Sequence, residues 1–498
     1  MGLLPSWLDN CGSNMFSIYE DAEDAILADM ARRIATYDYY IPAAEYQRQV
    51  LEQMGATQQY ILSELSRRTG KTQSELKQLM QEAGIEAVRS DAEIYRKNGK
   101  AVPDQASAVM QNILAAGYQQ TAGAFDNLCR TTARAGSSQF LRELNTAWLM
   151  VSGGGMSLDQ ATRAAIKRLA ASGLDAVSYA SGRKLSLDSA VRMTVRTGIN
   201  QTAAKLQLQF AAEMDSDLVE VTAHAGARPS HAEWQGKVYS ISGKTKGYRK
   251  LEDATGYGTV DGLCGANCRH NMFPFFEGES GAYSKRELEE YTRPDAVTYN
   301  GKSMSLYEAQ QLQRYQERQI RRWKREYVCS EAAGIDTLQA AAKLAKWNST
   351  HMDFLQQTGL KIHFARGEVV GFGSSQAKKA ASVVKKIDSI KSDIRGGNYP
   401  LTVNPDKQAR HMLGESYVRG RSAITIGMKE LQSLVNQFAG IGTVILDRKG
   451  EWKNQEIIDF GREVGYTVNK DGREVKTSKA KIHYSKTGVH VVPYSGKG

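Results

Sequence analysis

Histidine is missing from the first 223 of 498 residues; all eight copies lie between His224 and His490. Imidazole chemistry is thereby excluded from that whole stretch. Cysteine is scarce as well. Of five, Cys11, Cys129 and Cys329 are scattered, which excludes a disulfide framework and leads us to expect synthesis in a reducing cytoplasm. Apolar runs are short, and none approaches the roughly 18 residues of a membrane span, so no membrane partner is expected. The opening "MGLLPSWLDNCGSNMFSIYEDAEDAILADM" has no positive region leading into an apolar stretch and does not read as a secretory signal. Proline is absent between Pro103 and Pro229, which leaves room for long helices.

What is present is 41% hydrophobic and 24% charged, a globular balance, in a chain too long for one core. Two to four domains are expected. From Lys361 to Gly498 there are 24 Lys or Arg against 13 Asp or Glu, so the chain's entire net charge of +11 resides there. Such a bias suits a polyanionic partner, nucleic acid first, because Lys and Arg gain affinity by releasing phosphate counterions.

Texture divides the chain into a helical domain (1–215), a glycine- and aromatic-rich Cys/His module (216–300), a helical linker (301–360) and a basic domain (361–498). Capping boxes are read at Thr72 and Glu75, Ser157 and Gln160, and Ser305 and Glu308. The glycines of "VSGGGMSL" predict a helix break, and "SLYEAQQLQRYQERQIRRWKREY" predicts one long, charged, solvated helix. Gly359 reads as a helix stop. Beyond it a strand-like "GLKIHFARGEVVGFG" precedes the helices "SSQAKKAASVVKKIDSIKSDI" and "MKELQSLVNQFAG", with Asn404 capping a helix that starts at Pro405. Strands follow at "GTVILD", "GYTVN", "REVKT", "KAKIHYS" and "VHVVPY", with turns at Lys470–Gly472 and Lys486–Gly488. The fold class expected is a mainly α-helical amino-terminal scaffold, a small mixed loop and strand module, and a carboxy-terminal α+β domain.

Cys264, Cys268, His270, His224 and His231 are the residue types zinc prefers, yet their spacing departs from that of zinc knuckles; packing held by Arg228 and Arg269 is the expectation, with a tetrahedral zinc site as the alternative, and no cofactor is expected. In the basic domain, Lys407 and His411 stand four apart, on one face of a helix, with Arg419, Arg421 and Ser422 shortly after. The period of two in "KAKIHYS" sets Lys479, Lys481, His483 and Ser485 on one face, with His490 across the turn. Histidine, lysine and arginine suit metal-free ribonuclease chemistry, in which a base takes the ribose 2′-hydroxyl proton, cations stabilise the phosphorane and an acid protonates the leaving oxygen. The assignment preferred is His411 as general base or acid and Arg421 as phosphate clamp. No cluster of Asp and Glu matches a two-metal nuclease.

"HAGARPSHAEWQGKVYSISG" and "GLCGANCRHNMFPFFEG", with "SLYEAQQLQRYQERQIRRWKREY" and "DFLQQTGLKIHFARGEVVGFGSSQA", resemble the phage minor capsid protein 2 family, related to MuF-like head morphogenesis proteins. The likeness reaches to about residue 375. It implies a structural protein of the phage head, made in the host cytoplasm, near portal and capsid proteins. "NPDKQARHMLGESYVRGRS" with "VKTSKAKIHYSKTGVHVVPY" is similar to polymorphic toxin type 50, over roughly residues 380 to 498. That resemblance implies a fold shared with barnase, EndoU, colicin and RelE ribonucleases, an RNA substrate and a cognate immunity protein. It also marks Lys407, His411, Arg421, Ser422, Thr477, Tyr484, Ser485 and His490 for catalysis or substrate contact. The rival expectation is a purely structural protein whose basic domain binds packaged DNA without cutting it.

Overall fold

Two proline-free runs, Ala43–Lys97 and Ala108–Ser152, fold as single long helices in the computed structural model. The structure describes residues 3–103, 105–178, 184–414, 417, 420–447, 450–468 and 472–495. Contacts divide the chain into two compact units, Met1–Gly334 with Lys346–Phe372, and Ile335–Ala345 with Gly373–Gly498. The first three expected segments therefore fall together in one unit, apart from Ile335–Ala345. Residues 361–372, counted above with the basic domain, also belong to the first unit.

In the first unit, helices Ser13–Thr36, Leu158–Ser172 and Leu187–Glu213 join the two long ones, each burying residues spaced by three and four, such as Ile26 and Met30 or Ile166 and Leu169. The break at "VSGGGMSL" is real: one helix stops at Ser152, and the next begins after Ser157, whose hydroxyl accepts from the Gln160 amide in a full capping box. Thr72 is a correction. It lies inside the Ala43–Lys97 helix, and its hydroxyl donates back to the Arg68 and Thr69 carbonyls (3.3 and 2.9 Å), so no helix starts there.

The charged Leu306–Ala332 helix begins at the predicted Ser305 and Glu308 box, but it is not solvated. Arg321 and Arg325 are buried and meet acids of the Ser13–Thr36 helix: Arg321 Nη1 lies 2.6 Å from Glu20, Arg325 Nε lies 2.9 Å from Asp24, and Arg325 also pairs with Glu23. Glu23, fully buried, is pushed up to about 7 by loss of hydration, opposed by Arg325. The stretch "GLKIHFARGEVVGFG" is a second correction: it is irregular, with one short 3-10 turn at Phe364–Gly367 and no strand. Gly359 ends the Leu338–Thr358 helix in the left-handed conformation (φ +69°) that glycine adopts without strain. The Cys/His module is a three-stranded antiparallel sheet, with Leu218–Val221 between Val238–Ser240 and Met272–Pro274.

In the second unit, helices Ser374–Arg395, Pro405–Ala409 and Met428–Phe438 accompany two antiparallel sheets. The larger has strand order Gly488–Pro493, Lys479–Ser485, Trp452–Asp459, Thr443–Leu446; the smaller runs Glu474–Thr477, Gly465–Val468, Ala423–Ile424. The 452–459 and 423–424 strands were not expected. Of the turn at Lys470–Gly472, Lys470 and Asp471 lie outside the described residues. Ile394, Leu431, Val435, Ile458, Ile482, Val489 and Val491 form the core between helices and sheet. Fully burying each contributes about 1.5–3 kcal/mol before entropy. Ala480, Ile482 and Tyr484 point into this core, as a period of two requires, which turns Lys479, Lys481, His483 and Ser485 to the opposite face.

Candidate active site

On that opposite face the closing hairpin sets His483 directly across from His490. Cross-strand partners share a face, so both imidazoles line the same surface. Their rings stack at 4.5 Å between centroids and 21°, and the His411 ring stacks on His490 at 5.7 Å and 10°. Three imidazoles thus form a column with His490 in the middle, and His490 Nδ1 is buried without a hydrogen-bond partner.

His411 reaches the column by another route than the one expected. The helix begun at Asn404, whose side chain accepts from the Lys407 amide at 3.1 Å, ends at Ala409, so His411 sits past it in a turn and shares no helical face with Lys407. The Gln408 side chain instead exchanges two hydrogen bonds with the Val491 backbone (3.0 and 2.7 Å), pinning the short helix to the hairpin. Ile424 N–H donates to the His411 carbonyl at 2.7 Å. Lys407, one turn back, donates its ammonium to Ser485 Oγ (2.9 Å) and Thr487 Oγ1 (3.1 Å), while Ser485 donates to the Gly488 carbonyl.

Every imidazole in the column is biased toward its neutral form. Burial, then His483, His411 and Lys407, lowers the His490 pKa from 6.5 to about 4. Burial and the charges of Arg421 and Arg410 lower that of His411, and burial, Lys481 and His411 lower that of His483. Arg421 is therefore close enough to His411 to act on it. It is exposed, with its carbonyl accepting from Tyr417 Oη (2.5 Å), and among the described residues no carboxylate pairs with it. Neutral imidazoles beside unpaired cations can accept a proton and hold a phosphate.

Other expected residues hold the frame. Ser422 Oγ accepts from the Val468 amide (3.1 Å), and Thr477 Oγ1 donates to the Tyr494 carbonyl (2.7 Å) and accepts from the Lys479 amide (3.0 Å). Lys481 lies over the Tyr494 ring at 4.6 Å. Tyr484 is a correction as a substrate contact: it is buried, and its hydroxyl donates to Glu456 (2.6 Å) in the core. Arg419 lies outside the described residues. Thr487 and Arg410 were missed; Thr487 follows Ser485 in the predicted turn, and Arg410 adjoins His411, so proximity in sequence was the available signal.

In the Cys/His module three of the five residues converge. Cys268 Sγ lies 3.7 Å from both His231 Nδ1 and His270 Nδ1, which are 3.4 Å apart, all buried. Cys264 Sγ contacts the His270 carbonyl at 3.6 Å, and His224 stacks on His270 with its Nδ1 against the Ala225 carbonyl (2.9 Å).

Comparison with known proteins also divides the chain in two. The family described as Phage minor capsid protein 2 matches residues 3–356, and the one described as Bacterial toxin 50 matches residues 403–493. A protein named "Structural protein" of Lactococcus phage LL-H is 26% identical over 247 residues, covering 47% of this chain and 66% of that protein. The chain thus spans just under two thirds of that relative. No solved structure matches it. Among the described residues no helix is long and apolar enough to cross a membrane.

Proposed function

Because the chain belongs to the phage minor capsid protein 2 family, we propose that it is a structural component of a phage head, close to portal and capsid proteins, whose toxin domain is a metal-independent ribonuclease. The observation that carries the nuclease reading is the column of His411, His490 and His483 with Lys407 and Arg421 beside it. A phosphodiester placed between Lys407 and Arg421 has its charge matched by two cations. His411, neutral at physiological pH, takes the 2′-hydroxyl proton, and the 2′-oxygen attacks phosphorus. The bound phosphate also offsets the cationic neighbours that, after burial, depress the imidazoles, so a second ring of the column takes up a proton and delivers it to the leaving oxygen. His483, deepest in the column from His411, positions His490.

The fold proposed for this domain is that of the barnase, EndoU, colicin and RelE ribonucleases, acting in a host cytoplasm and restrained by an immunity protein. The domain runs from about residue 373, after a helical and Cys/His head segment. The test uses the full chain, wild type and His411→Ala or Arg421→Ala, incubated with total bacterial RNA in EDTA. Wild type should cut, with His411→Ala slower by about 10²–10⁴-fold, the range for loss of a general acid or base. RNA left intact by folded wild type would refute the nuclease reading, and retarded DNA without cleavage would replace it with a DNA-contact role.

A further inference from the structure

The imidazoles of His231 and His270 are held from behind by groups that can only accept. His231 Nε2 lies 2.9 Å from the Asp261 carbonyl, and His270 Nε2 lies 3.0 Å from Gln235 Oε1. The identity of that Gln235 atom as oxygen is fixed by the His224 backbone N–H, which donates to it at 3.1 Å. In each neutral ring the proton therefore sits on Nε2, and Nδ1 carries a bare lone pair. The two lone pairs are 3.4 Å apart and each is 3.7 Å from Cys268 Sγ. Three electron-rich atoms are thus crowded into a site only 1–2% exposed, with one thiol proton to share among them. Buried acceptors without donors are costly, and a cation at their centre removes the cost.

The size of the triangle selects the cation. Zinc bonds of about 2.0–2.1 Å to nitrogen and 2.3 Å to sulfur, at tetrahedral angles, separate two nitrogens by about 3.4 Å and nitrogen from sulfur by about 3.6 Å. The observed edges match both. Backing of each imidazole Nε2 by a carbonyl is the outer-shell arrangement that orients histidine ligands. We propose that His231 Nδ1, His270 Nδ1 and Cys268 Sγ bind a structural zinc ion, and that Cys264 completes the tetrahedron.

Cys264 is the fourth ligand for two reasons. It is as buried as the others, and its sulfur contacts the same His270 carbonyl as Cys268 Sγ does (3.6 and 3.8 Å), which makes it the thiol that shares a neighbour with the triangle. Two thiolates also neutralise the dication, which a site closed to water requires. His224 is not a ligand, its Nδ1 being turned to the Ala225 carbonyl. The ligands come from the turn of helix at Pro229–Ala232 and from the segment entering the Met272–Pro274 strand, so the ion staples two loops across the module. Asn200 of the Leu187–Glu213 helix, donating to the Cys268 and His270 carbonyls (3.2 and 3.0 Å), holds the second loop in place.

The experiment takes the untagged full chain expressed in zinc-supplemented medium, with metal content measured by mass spectrometry and cobalt substitution followed by visible absorption. One zinc per chain, and the d–d and thiolate charge-transfer bands of tetrahedral cobalt, are expected. Cys268→Ser and His270→Gln should each weaken zinc retention against a chelator by at least the 10–100-fold that loss of a mere supporting contact produces. Stripping wild type should lower its melting temperature, restored by zinc and not by magnesium. Folded wild type free of zinc and giving no cobalt bands would overturn the proposal without reliance on any variant. A Cys264→Ser chain with unchanged zinc affinity and cobalt spectrum would overturn the assignment of the fourth ligand.

Discussion

Acidification should loosen the closing hairpin, and His490 sets the scale. Its folded pKa of about 4 lies below the 6.5 of an unfolded imidazole, so between those values the unfolded chain binds the extra proton. Stability must then rise with pH through the window from 4 to 6.5 and be flat above about 7. An imidazole with those two constants would lose about 2 kcal/mol between pH 7.5 and 5. The ring is only half-buried, so solvent screening reduces this to about 1 kcal/mol, a fivefold change in an opening equilibrium. Hydrogen exchange of the full chain, read by mass spectrometry on peptides spanning residues 479–493 and corrected for the intrinsic pH dependence of exchange, measures that opening locally. Wild type should lose at least about fivefold in protection at pH 5, and His490→Gln about fivefold less than wild type, with the remainder due to His411 and His483. Equal slopes in the two proteins, or a flat wild-type profile, would show that the column does not hold His490 neutral.

Four further outcomes follow from buried polar groups and two glycines, one tight and one open. Replacing Arg325 by Met removes the closest cation from the buried Glu23 and Asp24 carboxylates, leaving Glu23 to Arg321 (3.6 Å) and the Leu174 amide and Asp24 to the Val370 amide, and should cost about 3 kcal/mol in thermal unfolding of the full chain; adding Glu23→Gln should recover part of it. Glu456→Ala leaves the amides of Gly440 and Gly442 and the Tyr484 hydroxyl without their acceptor, an expected loss of about 2–4 kcal/mol in denaturant titration followed by Trp452 fluorescence against tryptophan-free controls elsewhere in the chain. Gly488→Ala places a methyl group 2.3 Å from the Thr402 carbonyl oxygen at φ +110°, and should cost at least about 2 kcal/mol. Gly461→Ala, strained only by its φ of +72°, should cost about 1 kcal/mol in the same assay.

Local rules were legible in the sequence wherever the energy is local. The alternation in "KAKIHYS" assigned its two faces correctly, and the Ser157 and Ser305 boxes mark true helix starts because their partners are three residues away. Thr72 carried the same signal and failed, since a threonine inside a helix can satisfy its hydroxyl on the preceding turn. The Trp452–Asp459 strand was invisible because its buried face carries Glu456 beside Ile458, so no apolar alternation marks it. Arg321 and Arg325 read as solvated because the carboxylates that neutralise them are about three hundred residues away. At the candidate site the three histidines of the basic sheet and turn were named from the sequence, but their arrangement was not readable. His483 and His490 competed as alternatives until the hairpin register made them partners, and His411 joined them through a turn rather than a helical face.

The seam between the short Lys407 helix and the hairpin also decides how a protein partner can dock. The Gly488–Pro493 strand is an edge, and a free edge invites strand addition. Here the Val489 N–H and carbonyl are taken by Thr402 and Asn404, and those of Val491 by the Gln408 side chain. That border is closed to any incoming strand. An inhibitor that works by extending the sheet is left the Thr443–Leu446 border, on the far side from the imidazoles, whereas one that blocks the histidine column must do so with side chains and match the positive charge of Lys407 and Arg421 beside it with acids of its own.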